Sequence, residues 1–163
     1  MPENTCCVTG HRSIPCRQAD YVRARLKDEI RQAAAQGFTR FLSGYAEGVD
    51  QLFAELVLQA MSEYPQIRLE AAIPFRGRVE RLQANPKTKP LLMAASKVTV
   101  VCEAYSPSCF HIRNHYMVSE SVRVIAVHDG RQSGGTAATL RRAKAKGRDV
   151  REILMNSENP SET

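Results

Sequence analysis

A chain of 163 residues, 43% hydrophobic and 25% charged, has the size and make-up of one globular domain. It has no apolar run near the roughly 18 residues of a membrane span and no basic-then-apolar leader, which excludes a membrane role and leads us to expect a cytoplasmic protein. Five cysteines, an odd number without regular spacing and without a CxxC pair, exclude a disulfide framework, while the net charge of +6 favours anionic partners.

In chain order, residues 5–9 form a β-rich run closed by Gly10. Over residues 17–36, Val22, Leu26, Ile30, Ala33 and Ala34 recur at helical spacing, and Gly37 ends that helix. A second strand covers residues 38–42, a glycine loop residues 43–48, and a helix follows with Val49, Leu52, Phe53, Leu56, Val57 and Ala60 on one apolar face. A third strand, residues 67–73, is expected to stop at Pro74. Asn85, Pro86 and Pro90 break the next stretch into a short helix, a loop and a helix over residues 91–96. Then come a strand (98–102), a helix (110–119), a strand (122–127), a helix (136–146) closed by Gly147, and a sixth strand at 150–153. Residues 1–155 are thus read as one domain and 156–163 as a polar tail.

Strands alternating with helices mean βαβ units. Short apolar strands without alternation suit a sheet covered on both sides. The expected fold is a single Rossmann-like α/β domain, a mostly parallel sheet with helices on both faces.

Ligands of such sheets bind beyond the carboxyl ends of the strands. Those positions hold Thr9, Gly10, His11 and Arg12 after strand one, and Ser43, Gly44, Glu47, Gly48 and Asp50 after strand two. Pro74 and Phe75 follow strand three, and Asp129, Gly130, Gly134, Gly135 and Thr136 follow strand five. The run Ser133, Gly134, Gly135, Thr136 leads straight into a helix, whose free N–H groups and dipole favour phosphate. It reads equally as a plain turn with Thr136 as N-cap. Asp50 is read as a cap or dipole partner, with a ribose hydroxyl as the alternative ligand. Arg113 can grip phosphate through two parallel hydrogen bonds, with Asn114 beside it. His111 and His115 stand one helical turn apart without a third ligand, so no metal and no cofactor is expected. The basic residues of the last helix, Arg141, Arg142, Lys144, Lys146 and Arg148, are read first as a solvated face.

Six segments in order carry a resemblance. They are Val8 with Thr9, Gly10, His11 and Arg12; Ser43 and Gly44 through Gly48, Val49 and Asp50; Ile73, Pro74 and Phe75; Arg113 and Asn114 with Met117 and Val118; the run from Val124 to Gly130; and Gly134, Gly135 and Thr136. This pattern resembles the YpsA-like branch of the SLOG superfamily, which also holds the LOG phosphoribohydrolases and the DprA-type DNA-processing proteins. The resemblance implies a Rossmann-like fold and a pocket for a nucleotide-related ligand. In the LOG enzymes a PGGxGTxxE motif supplies a catalytic glutamate, assisted by an upstream arginine. Here Arg113 stands for the arginine, but Ala137, Ala138 and Thr139 follow Thr136 and the glutamate is absent. Glu47 or Glu120 can replace it only if the fold brings one of them to the glycosidic bond.

Three functions follow from these residues. The first is binding or sensing of a nucleotide or nucleotide-derived small molecule. The second is N-glycosidic hydrolysis, which needs a carboxylate in the pocket. The third is binding of single-stranded nucleic acid, which the charge favours and the 6% aromatic content opposes. A homo-oligomer is compatible with all three.

Overall fold

The computed structural model describes residues 4–155, so the polar tail expected at 156–163 lies outside the described residues. Six strands form one wholly parallel sheet: β1 (Thr5–Gly10), β2 (Arg40–Ser43), β3 (Arg68–Phe75), β4 (Lys97–Cys102), β5 (Arg123–His128) and β6 (Asp149–Leu154). The helices are α1 (Ala19–Ala35), preceded by one 3-10 turn (Cys16–Gln18), α2 (Val49–Ala60), α3 (Arg76–Ala84), α4 (Lys89–Met93), α5 (Cys109–Glu120) and α6 (Gly135–Ala145). The fold is a single Rossmann-like α/β domain.

Side-chain alternation along the strands builds two cores. Cys6, Val8, Phe41, Leu69, Ile73, Ile125 and Val127 point to one face, against Val22, Leu26 and Ile30 of α1 and Phe53 and Val57 of α2. Cys7, Leu42, Ala72 and Val124 point to the other, against Met117 and Val118 of α5 and Ala143 of α6. The small residues of the second face let α5 lie close enough for Arg113 to reach the sheet backbone.

The strand order is β4-β3-β2-β1-β5-β6. The chain winds outward from β1 to β4, then crosses back to β5 on the other side of β1. That reversal puts the topological switch point, and its crevice, between the carboxyl ends of β1 and β5.

Two local expectations are corrected. Pro74 does not stop β3, which runs on to Phe75. Strand β2 ends at Ser43, opposite Ala71, so beyond that point β3 is bonded only toward β4. A residue lacking N–H is tolerated on a half-open strand. Pro90 opens α4 rather than breaking the chain, because a proline in the first helical turn gives up an N–H that has no partner there anyway.

Candidate functional site

The crevice at the switch point holds a cavity of about 490 Å³. Its walls bring together Thr9, Gly10, His11 and Arg12 after β1, Asp50 from α2, Arg113 and Asn114 from α5, and Gly134, Gly135 and Thr136 at the start of α6. These ten residues come from four separate segments.

The loop between β2 and α2 fixes Asp50. The Ser43 hydroxyl donates to the Asp50 carbonyl at 2.7 Å and accepts the Tyr45 N–H at 3.2 Å. Tyr45 has a left-handed backbone, φ 58°, uncommon for a bulky residue. Its buried ring holds that conformation, and its hydroxyl donates to the Leu91 carbonyl at 2.7 Å. Gly48 is the N-cap of α2 with φ 80°, and a Cβ there would meet the Arg12 backbone at 2.6 Å. Gly10 is equally constrained, because a Cβ would fall 2.4 Å from Val49. Both glycines therefore serve the close approach of the β1 turn to the start of α2.

Asp50 is not the cap of α2. It lies in the first turn and its Oδ2 accepts the Ala46 N–H at 3.4 Å. Burial pushes its carboxyl up to about 6, with the Arg113 guanidinium opposing the shift. Arg113 is 5% exposed, and its Nη1 donates to the carbonyls of Gly44 (2.7 Å) and Ala72 (3.3 Å), while its Nε donates to Asn114 Oδ1 at 2.9 Å. Burial lowers the Arg113 pKa, Asp50 raises it, and Arg12 and Arg78 lower it again. A Cβ on Gly44 would stand 2.5 Å from Arg113 Nη1 and 2.7 Å from Asp50 Oδ2, so only glycine leaves room for this pair of charges.

Across the cavity, α6 begins at Gly135 with Gly134 as N-cap at φ 98°. Thr136 is therefore inside the first turn rather than its cap, because glycine makes the sharp entry that a threonine backbone resists. A Cβ on Gly135 would meet nothing within 4 Å, so the backbone there faces open space.

The other expected residues lie around this cavity rather than in its walls. Ser43 and Gly44 are beneath Asp50 and Arg113. Glu47 and Gly48 line a neighbouring cavity. Pro74 is buried in β3, and Phe75 packs edge-on to Phe110 and Tyr105. Asp129 accepts from Arg131 at 2.6 Å and lies 3.3 Å from His11, and the Arg131 bonds hold its carboxyl well below the usual range. Gly130 carries the turn beyond it with φ 87°. Burial lowers the His11 pKa; Arg131 lowers it further, against the pull of Asp129. Glu120 is at the far edge of the sheet, beside Arg40, and cannot reach the cavity.

Ser133 of the expected glycine run also lines the cavity, as do Phe110, Ser13, Ala46 and Arg131, which were not singled out from sequence. Arg131 carries a visible signal, a cation two residues after Asp129. Phe110 carries none, since an aromatic at the start of a helix reads as core. Among the described residues no three of His, Cys, Asp and Glu are grouped to hold a metal, and His115 Nδ1 lies 2.7 Å from Arg142. Of the basic residues expected on the last helix, Arg141 bonds to the Gln132 carbonyl and Lys144 pairs with Glu152, while Arg148 lies beyond α6 and bonds to the Val118 carbonyl. No helix among the described residues is long and apolar enough to cross a membrane.

Comparison with known proteins gives this geometry a lineage. An SPbeta prophage-derived protein of Bacillus subtilis, YoqJ, is 29% identical over 68% of this chain and 75% of its own length. A UPF0398 protein of Bacillus anthracis is 26% identical over 72% of this chain and 71% of its own. Among solved structures, DNA processing protein A of Helicobacter pylori, described with its single-stranded DNA binding mode, superposes with a TM-score of 0.66. That match has 16% identity and covers 95% of this chain and 67% of the other, a likeness of fold. The family model described as the YspA SLOG family matches residues 6–156, nearly the whole length, and the chain belongs to that family.

Proposed function

We propose that the protein binds a nucleotide-derived, phosphate-bearing ligand in the cavity between β1 and β5. The observation that carries this is the pairing of two walls. On one side the first turn of α6 presents backbone N–H groups of an open, glycine-lined helix start. On the other stands Arg113, buried and bonded mainly to carbonyls, with Asp50 opposing its charge but, among the described residues, no carboxylate within ion-pairing distance. A cavity of about 490 Å³ is within the usual range for small ligands. Phosphate on the α6 turn puts a sugar near Asp50 and Asn114.

A thermal-shift series with AMP, ADP-ribose, NAD and cyclic dinucleotides tests the reading. At 100 times its dissociation constant a ligand stabilises the fold by about 2.7 kcal/mol. The expected result is a shift that is lost in Gly135→Asp. No shift with any of these nucleotides overturns it.

A hydrolytic reading has one observation in its favour. Asp50 lines the cavity, and a carboxyl pushed up to about 6 exchanges protons near neutrality. Asp50 thus takes the place that Glu47 and Glu120 do not occupy. Release of free base from AMP, detected by mass spectrometry and lost in Asp50→Asn, is the result expected of a hydrolase. Ligand recovered intact leaves binding as the function.

A further inference from the structure

The candidate site shares a wall with a second cavity of about 340 Å³. Arg12 belongs to both. The second is lined besides by Arg78 and Arg81 of α3, Lys87, Gln51 and a lone carboxylate, Glu47. Four cations thus face one anion. Among the described residues no carboxylate lies within ion-pairing distance of Arg12, Arg78, Arg81 or Lys87.

These cations also crowd one another. Burial lowers the Arg78 pKa, and Arg12 and Arg81 lower it further, against the pull of Glu47. Arg12 and Arg78 act in the same sense on Arg113. Arg113 and Arg12 share the Phe110 ring, and Arg12 lines both cavities, so the guanidiniums run from the buried Arg113 through Arg12 to Arg78 and Arg81 of α3. Like charges that outnumber their counter-ions cost free energy, and an anion lying along the line relieves that cost.

The aromatic residues along the line are already engaged. Arg12 lies 5.2 Å and Arg113 5.8 Å from the Phe110 ring centroid, and Arg81 lies 6.0 Å from that of Phe75. Rings that hold guanidiniums are poor platforms for stacking successive bases, which single-strand binding uses. The arrangement suits several phosphates on a small molecule better than a run of bases.

We propose that the second cavity is an anion subsite that takes a further phosphate of the ligand held in the first. The ligand class is then a small molecule with at least two phosphate groups, such as a nucleoside polyphosphate or a linear dinucleotide, gripped across Arg12. This rests on the phosphate-binding reading of the first cavity.

Titration calorimetry on the full chain with AMP, ATP and the dinucleotide pApA tests it. The expected result is that AMP binds and that ATP or pApA binds about tenfold or more tightly, the worth of one charged hydrogen bond. The double variant Arg78→Gln, Arg81→Gln is expected to remove that gain, leaving AMP affinity within about twofold and the melting temperature no lower than that of the wild type. If AMP binds but ATP and pApA bind no tighter, or if their advantage survives in the double variant, the subsite is overturned and the first cavity stands. If AMP, ATP and pApA are all silent, the subsite is overturned, and the first cavity falls with it when ADP-ribose, NAD and cyclic dinucleotides are silent too. An oligothymidylate that binds where pApA and ATP do not replaces the small ligand by a single strand and overturns the assignment.

Discussion

The two edges of the sheet use the same residue types in opposite ways. At the amino edge the strand-opening arginines Arg40, half-buried, and Arg123, buried, have found carboxylate or amide partners. Arg40 makes two bonds to Glu70, at 2.8 and 3.0 Å, and reaches Glu120 at 3.3 Å and the Thr5 hydroxyl at 3.2 Å. Arg123 is bonded to Asp149 at 2.8 Å and to Gln36 at 2.7 Å, with its guanidinium 4.5 Å from the Phe38 ring centroid. At the carboxyl edge Arg131 is paired with Asp129 and Arg76 with Glu103, but Arg113 has two carbonyls and one amide, and among the described residues Arg12, Arg78 and Arg81 have no carboxylate at ion-pairing distance. Where carboxylates are supplied, the guanidinium ties strands together. Where they are withheld, it is left facing a cavity.

Breaking the first arrangement has the largest expected effect. Arg40→Met leaves Glu70, whose side chain is 11% exposed, without its main partner. Removing one member of a fully buried pair costs about 3–5 kcal/mol, and with the Arg40 side chain 26% exposed a loss of about 2–3 kcal/mol is expected. Urea denaturation is expected to show that loss while AMP binding by the folded fraction is unchanged. A loss under about 1 kcal/mol means the network behaves as a surface pair and the contrast between edges is weaker than drawn.

Asp50 sharpens the contrast from the other side, as a carboxylate that the fold makes harder to ionise. Its pKa is raised from 3.8 to about 6, so its favourable contribution is present below about pH 4 and is lost as pH rises through 6. Between pH 4 and pH 7 the wild type is expected to lose about 2 kcal/mol relative to Asp50→Asn. Parallel stability curves for the two proteins across that window mean that Asp50 is solvated or firmly paired, and the hydrolytic reading loses its proton carrier.

How much of this was legible in the sequence follows the range of the interactions. The six strands and their order in the chain are written in local runs such as 124–127 and in helical spacing such as Val22, Leu26 and Ile30, so element type and the parallel sheet were readable. The β3 terminus was misread because a proline's effect depends on whether a neighbour strand needs its N–H, which is a tertiary fact. Ten of the expected site positions line one cavity because strand ends are points where chain order and space coincide. Arg78 and Arg81 were invisible for the opposite reason. They belong to a weakly patterned helix, and nothing local says that α3 turns them toward Arg12. Glu120 was open to misreading as well, since only the fold shows that the end of α5 returns to the amino edge.

Gly135→Asp separates stability from binding at the site itself. No atom lies within 4 Å of the added Cβ, and Gly135 is the first residue of α6. An acidic side chain there is favoured by the helix dipole by about 0.3–1 kcal/mol, so the unliganded protein is expected to melt no lower than wild type. The same charge occupies the place proposed for a phosphate, and AMP affinity is expected to fall by about tenfold or more. A variant that is stable and still binds AMP moves the phosphate away from α6.

The smallest effect is expected from Glu120→Gln, and it tests whether the two edges are independent. Glu120 meets Arg40 at 3.3 Å with its side chain 40% exposed. Exposed pairs contribute about 0–1 kcal/mol, and Gln keeps the acceptor while Glu70 keeps Arg40 in place. Denaturation is expected to shift by less than about 0.5 kcal/mol. Nucleotide binding is expected to be unchanged, since a six-residue strand such as β1 spans about 20 Å, and charges are screened over about 8 Å at physiological salt. A change in binding or base release in this variant would mean that the amino-edge network transmits to the cavity through the strands, because the charge itself acts over too short a distance to do so.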